Sequence, residues 1–90
     1  MSASKTVTIC NARGLHARAS ARFIAEAEQF SAQITVTRDG ETVNADSIME
    51  LLMLAAGPGS EVTIAAEGED AEQAVEALCA LVECGFNEND

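Results

Sequence analysis

Polar and apolar residues alternate in four short segments of the chain, a pattern that predicts strands with one buried face. In the first segment, Val7 and Ile9 fall on the same side. The predicted strands are residues 6–10, 33–37, 42–45 and 61–66. Asp39 and Gly40 separate the second strand from the third, and this pair of residues is typical of a hairpin turn.

Three other segments repeat their apolar residues at the spacing of a helical face. The predicted helices lie at about residues 17–29, 46–56 and 71–84. Ser47 is expected to cap the second, short helix, with Glu50 completing a capping box. Asp70 is expected to cap the third helix, and Gly85 is expected to end it.

The order of the predicted elements is βαββαβα. Because each strand has one apolar face, we expect an α+β open-faced sandwich, an antiparallel four-stranded sheet with three helices on one face. A chain of 90 residues suits one domain, residues 1–90. Its core is expected at about residues 5–85, and the acidic tail at 86–90 is expected to fray. Several unrelated functions use this layout, so the fold alone predicts none of them.

The chain has a formal net charge of −10 at pH 7, which disfavours nucleic acid and anionic membrane surfaces as partners. The charge is unevenly placed. Residues 1–25 contain all but one of the 5 cationic residues, whereas residues 26–90 contain all 15 acidic residues. The N-terminal part is therefore suited to receive a small anion, while the remainder repels polyanions.

The cysteines Cys10, Cys79 and Cys84 lack the spacing of metal ligands. We interpret them as reduced, mostly packed thiols of a cytosolic protein, and we expect neither a metal nor another cofactor. The longest apolar run, at 51–56, is much shorter than a membrane span. These observations predict a cytoplasmic protein without membrane insertion.

His16, the only histidine, lies where the first strand gives way to the first helix. The N-terminus of a helix binds anions through its unpaired backbone N–H groups, and Arg18 brings a guanidinium to the same point. A neutral imidazole attacks phosphorus without first losing a proton, and phosphohistidine is a covalent intermediate that histidine forms. Gly14 allows a sharp turn before the helix. A lone histidine at such a junction is also a common structural cap, and the residues alone leave both interpretations open.

The motif RGLHARAS at 13–20, the order of the elements and a second motif around Ser47 are together similar to a known family. This family is the histidine-containing phosphocarrier proteins, HPr, of the bacterial phosphotransferase system, and the resemblance covers about residues 5–83. It implies that Nδ1 of His16 accepts a phosphoryl group from phosphorylated Enzyme I, which takes it from phosphoenolpyruvate. The carrier then passes the group to an EIIA-type domain, and Arg18 steadies it. We expect a monomer that acts in a relay and is not an independent enzyme.

The resemblance also assigns a role to Ser47, which falls on the serine that HPr kinase/phosphorylase modifies in many bacteria. Regulation and capping are compatible at this position, because the N-terminus of a helix tolerates a phosphate. One departure from the family stands at Ala19, where proline commonly follows the arginine of the motif. Alanine keeps the helix and loosens the turn that enters it.

The second helix carries more large apolar residues than one face can bury. Burial in the core is the default for each of them. The resemblance implies instead that Ile48 and Met49 belong to an apolar patch beside His16, where Enzyme I and EIIA domains dock. We therefore assign Ile48, Met49 and Met53 to a partner interface, and Leu52 mostly to the core.

Two other functions remain open at this point. A small enzyme of the acylphosphatase type shares part of the element order, although its catalytic asparagine and its glycine-rich loop ending in arginine are not found here. A regulatory docking module of the same fold would act without phosphoryl transfer. If the chain is a phosphocarrier, its residues favour neither the sugar-uptake branch nor the nitrogen-regulatory branch of the phosphotransferase system.

Overall fold

The computed structural model describes residues 1–87 and has the predicted order βαββαβα, followed by one further turn. The elements are β1 (Ser2–Thr8), α1 (Ala17–Ala27), β2 (Gln33–Arg38), β3 (Glu41–Asn44), α2 (Ile48–Met53), β4 (Glu61–Glu67), α3 (Ala71–Glu83) and a C-terminal 3₁₀ turn (Gly85–Asn87). The predicted strands and helices are confirmed, with differences of a few residues at their ends. No helix among residues 1–87 is long and apolar enough to cross a membrane.

The four strands form one antiparallel sheet in the order β1-β4-β2-β3. Val36 of β2 is paired with Ile64 of β4, and both side chains are buried in the core beneath the helices. The opposite face carries threonines, and Thr6 shares a hydroxyl–hydroxyl hydrogen bond of 2.9 Å with Thr63. This division between an apolar face and a polar face confirms the open-faced sandwich.

The first strand differs most from its prediction, because it begins at Ser2 and ends at Thr8. Its additional N-terminal residues are held by the ladder, in which Ser2 is paired with Glu67 of β4. Ile9 lies outside the strand but stays buried, and its N–H donates to the carbonyl of Ser60 at 2.8 Å. The partner strand therefore decides where β1 begins.

The C-terminal turn corrects the expected boundary of the core. Phe86 was expected to lie in a frayed tail, but its side chain is 0% exposed. Gly85, Phe86 and Asn87 all have positive φ values, +67°, +58° and +60°, so the chain turns in the left-handed sense after α3. Arg22 of α1 holds this turn through a hydrogen bond of 2.7 Å from Nη1 to the carbonyl of Phe86. Residues 88–90 of the predicted tail lie outside the described residues.

The prediction that the thiols are mostly packed is wrong for two of them. Cys79 of α3 is buried, and desolvation raises the pKa of its thiol. Cys10 and Cys84 are exposed, although the Cys10 Sγ lies 3.3 Å from the carbonyl oxygen of Val82. Among residues 1–87, no cluster of three or more histidine, cysteine, aspartate or glutamate side chains is placed to hold a metal ion.

Asp70 occupies the cap position of α3, but its side chain does not cap that helix. Its carboxylate accepts hydrogen bonds of 2.8 Å from the backbone N–H groups of Ser31 and Ala32, just before β2. These bonds, the one from Ser31 foremost, hold the pKa of the carboxyl below its ordinary value of 3.8. Asp70 thus fastens the connection between α1 and β2 to the start of α3.

We expect this fastening to weaken in acid. A carboxyl whose pKa is lowered by folding contributes stability above its unfolded pKa and loses it as the pH falls through its folded pKa. The difference in unfolding free energy between the wild type and Asp70→Asn should therefore be constant near neutral pH and shrink as the pH falls below 3.8. Urea titrations between pH 7 and pH 2.5 measure this difference. A difference that persists unchanged at the acid end would contradict the assignment.

Candidate functional site

The turn between β1 and α1, residues 11–15, is called the site turn here. It is closed by two hydrogen bonds between the same pair of residues. The Gly14 N–H donates to the carbonyl of Asn11 at 3.1 Å, and the Asn11 Nδ2 donates to the carbonyl of Gly14 at 2.8 Å. Gly14 has a φ of +63°, in the left-handed region that glycine adopts without strain. The turn is therefore a fixed platform immediately before His16.

The supporting loop, residues 54–60, holds the site turn from the other side. The N–H of Leu15 donates to the carbonyl of Ala56 at 2.8 Å, and the Leu15 side chain is buried. A Cβ on Gly14 would lie 2.4 Å from the same carbonyl oxygen and 2.7 Å from the Cα of Gly57. No side chain larger than hydrogen fits at Gly14 unless the backbone moves.

His16 is the N-cap residue of α1. Its Nδ1 accepts a hydrogen bond of 3.2 Å from the backbone N–H of Arg18, and its carbonyl accepts one of 2.8 Å from Ser20. A ring nitrogen that accepts a hydrogen bond carries no proton, so this contact assigns the proton of the neutral ring to Nε2. The side chain is partly exposed. The lone pair of Nδ1 thus lies among the first N–H groups of the helix, at its positive end.

The cationic side chains divide into two groups. Arg13 and Arg18, which flank His16 in the sequence, are exposed. Arg22 is exposed as well, but it and the partly buried Arg38 donate to backbone carbonyls, at Phe86 and Leu54 respectively. The remaining cation, Lys5, is in the middle of β1. Of the four cations among residues 1–25, the two that flank His16 in the chain, Arg13 and Arg18, are therefore exposed guanidinium groups.

Ser47 is the N-cap residue of α2, as predicted. Its Oγ accepts a hydrogen bond of 3.3 Å from the backbone N–H of Glu50, which is the first half of a capping box. Helix α2 packs against α1, so Ser47 and the helix that begins after His16 belong to the same layer. Ala19 is buried in the first turn of α1.

The outward side of α2 carries large apolar residues. The exposed fraction is 41% for Ile48, 69% for Met49 and 71% for Met53. Leu52, which the sequence assigned mostly to the core, is only partly buried, whereas Leu51 is fully buried. We refer to Ile48, Met49 and Met53 as the apolar patch.

Sequence reasoning missed three residues that shape the site. Asn11 closes the site turn through its side chain, and Ala56 supports Leu15 through its carbonyl. The Ser20 hydroxyl is buried and donates to the carbonyl of Leu15 at 3.3 Å. An asparagine directly after a strand is a recognisable turn signal, but a carbonyl supplied by a distant alanine leaves no mark in the sequence.

The comparisons with known proteins agree with one another. A family model described as the PTS HPr component phosphorylation site matches residues 3–84. A phosphocarrier protein HPr of Cupriavidus necator is 45% identical over 96% of this chain and 97% of its own length. A phosphocarrier protein NPr of Shewanella violacea is 43% identical over 93% of this chain and 92% of its own length. The crystal structure of HPr-C-His from Thermoanaerobacter tengcongensis superposes with a TM-score of 0.93 at 43% identity, covering 98% of this chain and 99% of the other. The chain belongs to the HPr family, the phosphocarrier proteins of the phosphotransferase system.

Proposed function

We propose that Nδ1 of His16 accepts a phosphoryl group from phosphorylated Enzyme I and passes it to an EIIA-type domain. Phosphoenolpyruvate is the original source of the group. The observation that carries the proposal is the 3.2 Å hydrogen bond from the Arg18 N–H to Nδ1. It assigns a lone pair to the nitrogen that must attack, at a helix terminus that favours anions. Family membership supports a carrier over an enzyme of the acylphosphatase type.

The transfer needs no general base. The Nδ1 lone pair forms the new N–P bond while the bond between phosphorus and the donor breaks, and its electron pair leaves with the donor. The proton on Nε2 stays in place throughout the step. Once Nδ1 is bonded to phosphorus, the Arg18 N–H is left to donate to a phosphoryl oxygen instead. Transfer to the acceptor reverses these changes.

Arg18 is proposed to steady the phosphoryl group through its side chain as well as its backbone. It is exposed on the first turn of α1, two residues after His16. A planar guanidinium matches two phosphoryl oxygens at once. Arg13 lies on the other side of His16 in the sequence and adds a second exposed positive charge. In a chain of net charge −10, these two cations favour the approach of an anion at this end.

The apolar patch is proposed to dock Enzyme I and the EIIA domain. Its three exposed side chains lie on a helix that packs against α1, and the supporting loop that follows the helix contacts the site turn. Methionine suits a surface that must fit more than one partner, because its side chain is flexible and polarizable.

Ser47 is proposed as a regulatory site for HPr kinase/phosphorylase, in addition to its capping role. The hydroxyl is only partly buried, and it lies at the start of the helix that carries the apolar patch. A phosphate there would be tolerated by the helix N-terminus and would add negative charge next to Ile48. The modification would therefore act on docking rather than on the fold of α2.

The first experiment measures the intact mass after incubation with phosphoenolpyruvate and a matched Enzyme I. The wild type should gain the mass of one phosphoryl group, and mild acid should remove it. His16→Asn should gain nothing. This substitution is chosen because asparagine is among the best N-cap residues, so α1 keeps an acceptor for the Arg18 N–H while the imidazole is removed. Circular dichroism should show the helix content of the wild type.

A second variant separates docking from chemistry. Met49→Ser should slow phosphorylation and leave the final mass unchanged, because the acceptor nitrogen is intact. If the wild type gains no mass with an Enzyme I that phosphorylates itself, the carrier function is wrong and the docking module becomes the better interpretation. EIIA domains of the sugar and nitrogen types, supplied in turn, then identify the branch.

A further inference from the structure

Arg38, at the end of β2, reaches across to the end of α2. Its Nη1 donates a hydrogen bond of 2.9 Å to the carbonyl of Leu54, the C-cap residue of that helix. The last carbonyls of a helix lack partners within it, and a cation placed there also complements the negative end of the helix dipole. Arg38 also forms an ion pair of 3.8 Å with the exposed carboxylate of Asp39, which is weak by comparison. Arg38 therefore fixes the point at which α2 ends.

The residue that follows this point is strained. Ala55 has a φ of +52°, in the left-handed region where helices commonly place glycine. An alanine stays in this conformation only if its neighbours hold it there. The residue before Ala55, Leu54, is held by the hydrogen bond from Arg38. The residue after it, Ala56, is held by the hydrogen bond from Leu15.

The second of these bonds leads directly to His16. The carbonyl of Ala56 accepts the Leu15 N–H at 2.8 Å and leaves no room for a side chain on Gly14. A shift of the supporting loop thus moves Leu15, and with it the backbone that orients the imidazole. Phosphoryl transfer depends on alignment of the attacking atom, so such a shift changes the rate of the step.

We propose that Arg38 is a positioning residue for phosphoryl transfer. It acts through the supporting loop, which it anchors at Leu54. This inference rests on the proposed function of His16, and it adds a residue from the β2–β3 hairpin to the machinery. Removing the guanidinium should loosen the bond between Leu15 and Ala56 and slow transfer without removing the acceptor.

Asp70 provides a matched control at the other end of the molecule. Like Arg38, its side chain holds backbone groups of a distant segment, the N–H groups of Ser31 and Ala32. It follows the end of β4 that is paired with Ser2, whereas the site turn follows the opposite end of β1. Asp70→Asn should therefore destabilise the fold and leave the supporting loop unchanged.

The test compares wild type, Arg38→Gln, Arg38→Lys and Asp70→Asn in two measurements. The first is amide hydrogen exchange at Leu15, relative to the core amide of Ile64. We expect Arg38→Gln to accelerate the relative exchange of Leu15 by about 10-fold, because the local bond opens more often than the sheet. Arg38→Lys should recover part of the protection, and Asp70→Asn should leave the ratio unchanged. An unchanged ratio in Arg38→Gln would overturn the inference.

The second measurement is the rate of phosphoryl transfer from Enzyme I as a function of carrier concentration. Arg38→Gln should lower the maximal rate by about 5-fold to 10-fold with little change in KM, since alignment and not docking is affected. Asp70→Asn should match the wild type at a temperature where every variant is folded. If wild type accepts the phosphoryl group and Arg38→Gln transfers at the same maximal rate, Arg38 has only a structural role. If the wild type accepts none, the proposed function itself is wrong.

Discussion

Replacing Gly14 by alanine is expected to lower the free energy of unfolding by about 2–4 kcal/mol and phosphoryl transfer by about 10-fold or more. The left-handed φ of +63° accounts for a part of the loss. The larger part is steric, because the new Cβ would lie 2.4 Å from the carbonyl oxygen of Ala56. The atoms that the new Cβ would meet, in Ala56 and Gly57, belong to the backbone, so no side-chain rotation relieves the clash. Urea denaturation and the transfer assay measure the two effects.

Gly40→Ala is the matched control for this prediction. Gly40 also has a positive φ, +84°, but a Cβ there would meet nothing within 4 Å. Gly40→Ala should therefore lose only the free energy needed to hold alanine at a positive φ, about 1 kcal/mol, and its rate of phosphoryl transfer should equal that of the wild type. Equal losses in the two variants would mean that the site turn accommodates a methyl group, and that its contact with the supporting loop is looser than described.

Replacing Phe86 by alanine is expected to cost about 3–5 kcal/mol of stability, the usual range for a fully buried phenylalanine. The ring is 0% exposed, and Arg22 fixes the backbone that carries it. Next to it, Gly85 lies against the site turn, since a Cβ at Gly85 would approach the Cβ of Asn11 to 3.7 Å. The variant should therefore lose transfer activity as well as stability, which denaturation and the transfer assay would detect.

Phe30 offers a comparison within the same residue type. It is only partly buried, so Phe30→Ala should cost clearly less than Phe86→Ala. A loss of unfolding free energy below about 1 kcal/mol for Phe86→Ala would contradict its burial and support the sequence-based prediction of a frayed tail.

The contrast between these two phenylalanines indicates what the sequence could predict about the fold. Strands and helices follow from local periodicity, so β2 begins at the predicted residue, Gln33, and the order of elements is correct. Phe86 stands alone after Gly85 in an acidic segment, and no periodic pattern accompanies it. Its burial depends on packing of the C-terminal turn against α3 and the distant α1. The early start of β1 is similar, because Ser2 is held by its pairing with Glu67 and not by its own apolar character.

The site shows the same division. His16 and Arg18 could be identified because their residue types and spacing carry the chemistry. The sequence left a choice between a structural cap and a functional histidine, whereas the geometry makes His16 a cap whose accepting atom is the proposed nucleophile. Asp70 is predicted to cap α3 because aspartate is a common N-cap residue. Its carboxylate instead accepts hydrogen bonds from the backbone N–H groups of Ser31 and Ala32. A local pattern does not distinguish a cap from a tertiary acceptor.

The register of β1 bears on how the protein can be attached to a surface or to a fusion partner. Met1 lies beside Gly68, whose N–H donates to its carbonyl at 2.8 Å, and the length of the strand, about 20 Å, separates this end from the site turn. The C-terminal turn, in contrast, lies against the site turn through Gly85 and Asn11. A tether at the N-terminus would leave His16 at the far end of β1 from the support, whereas a group attached at Gly85 would lie beside the site turn.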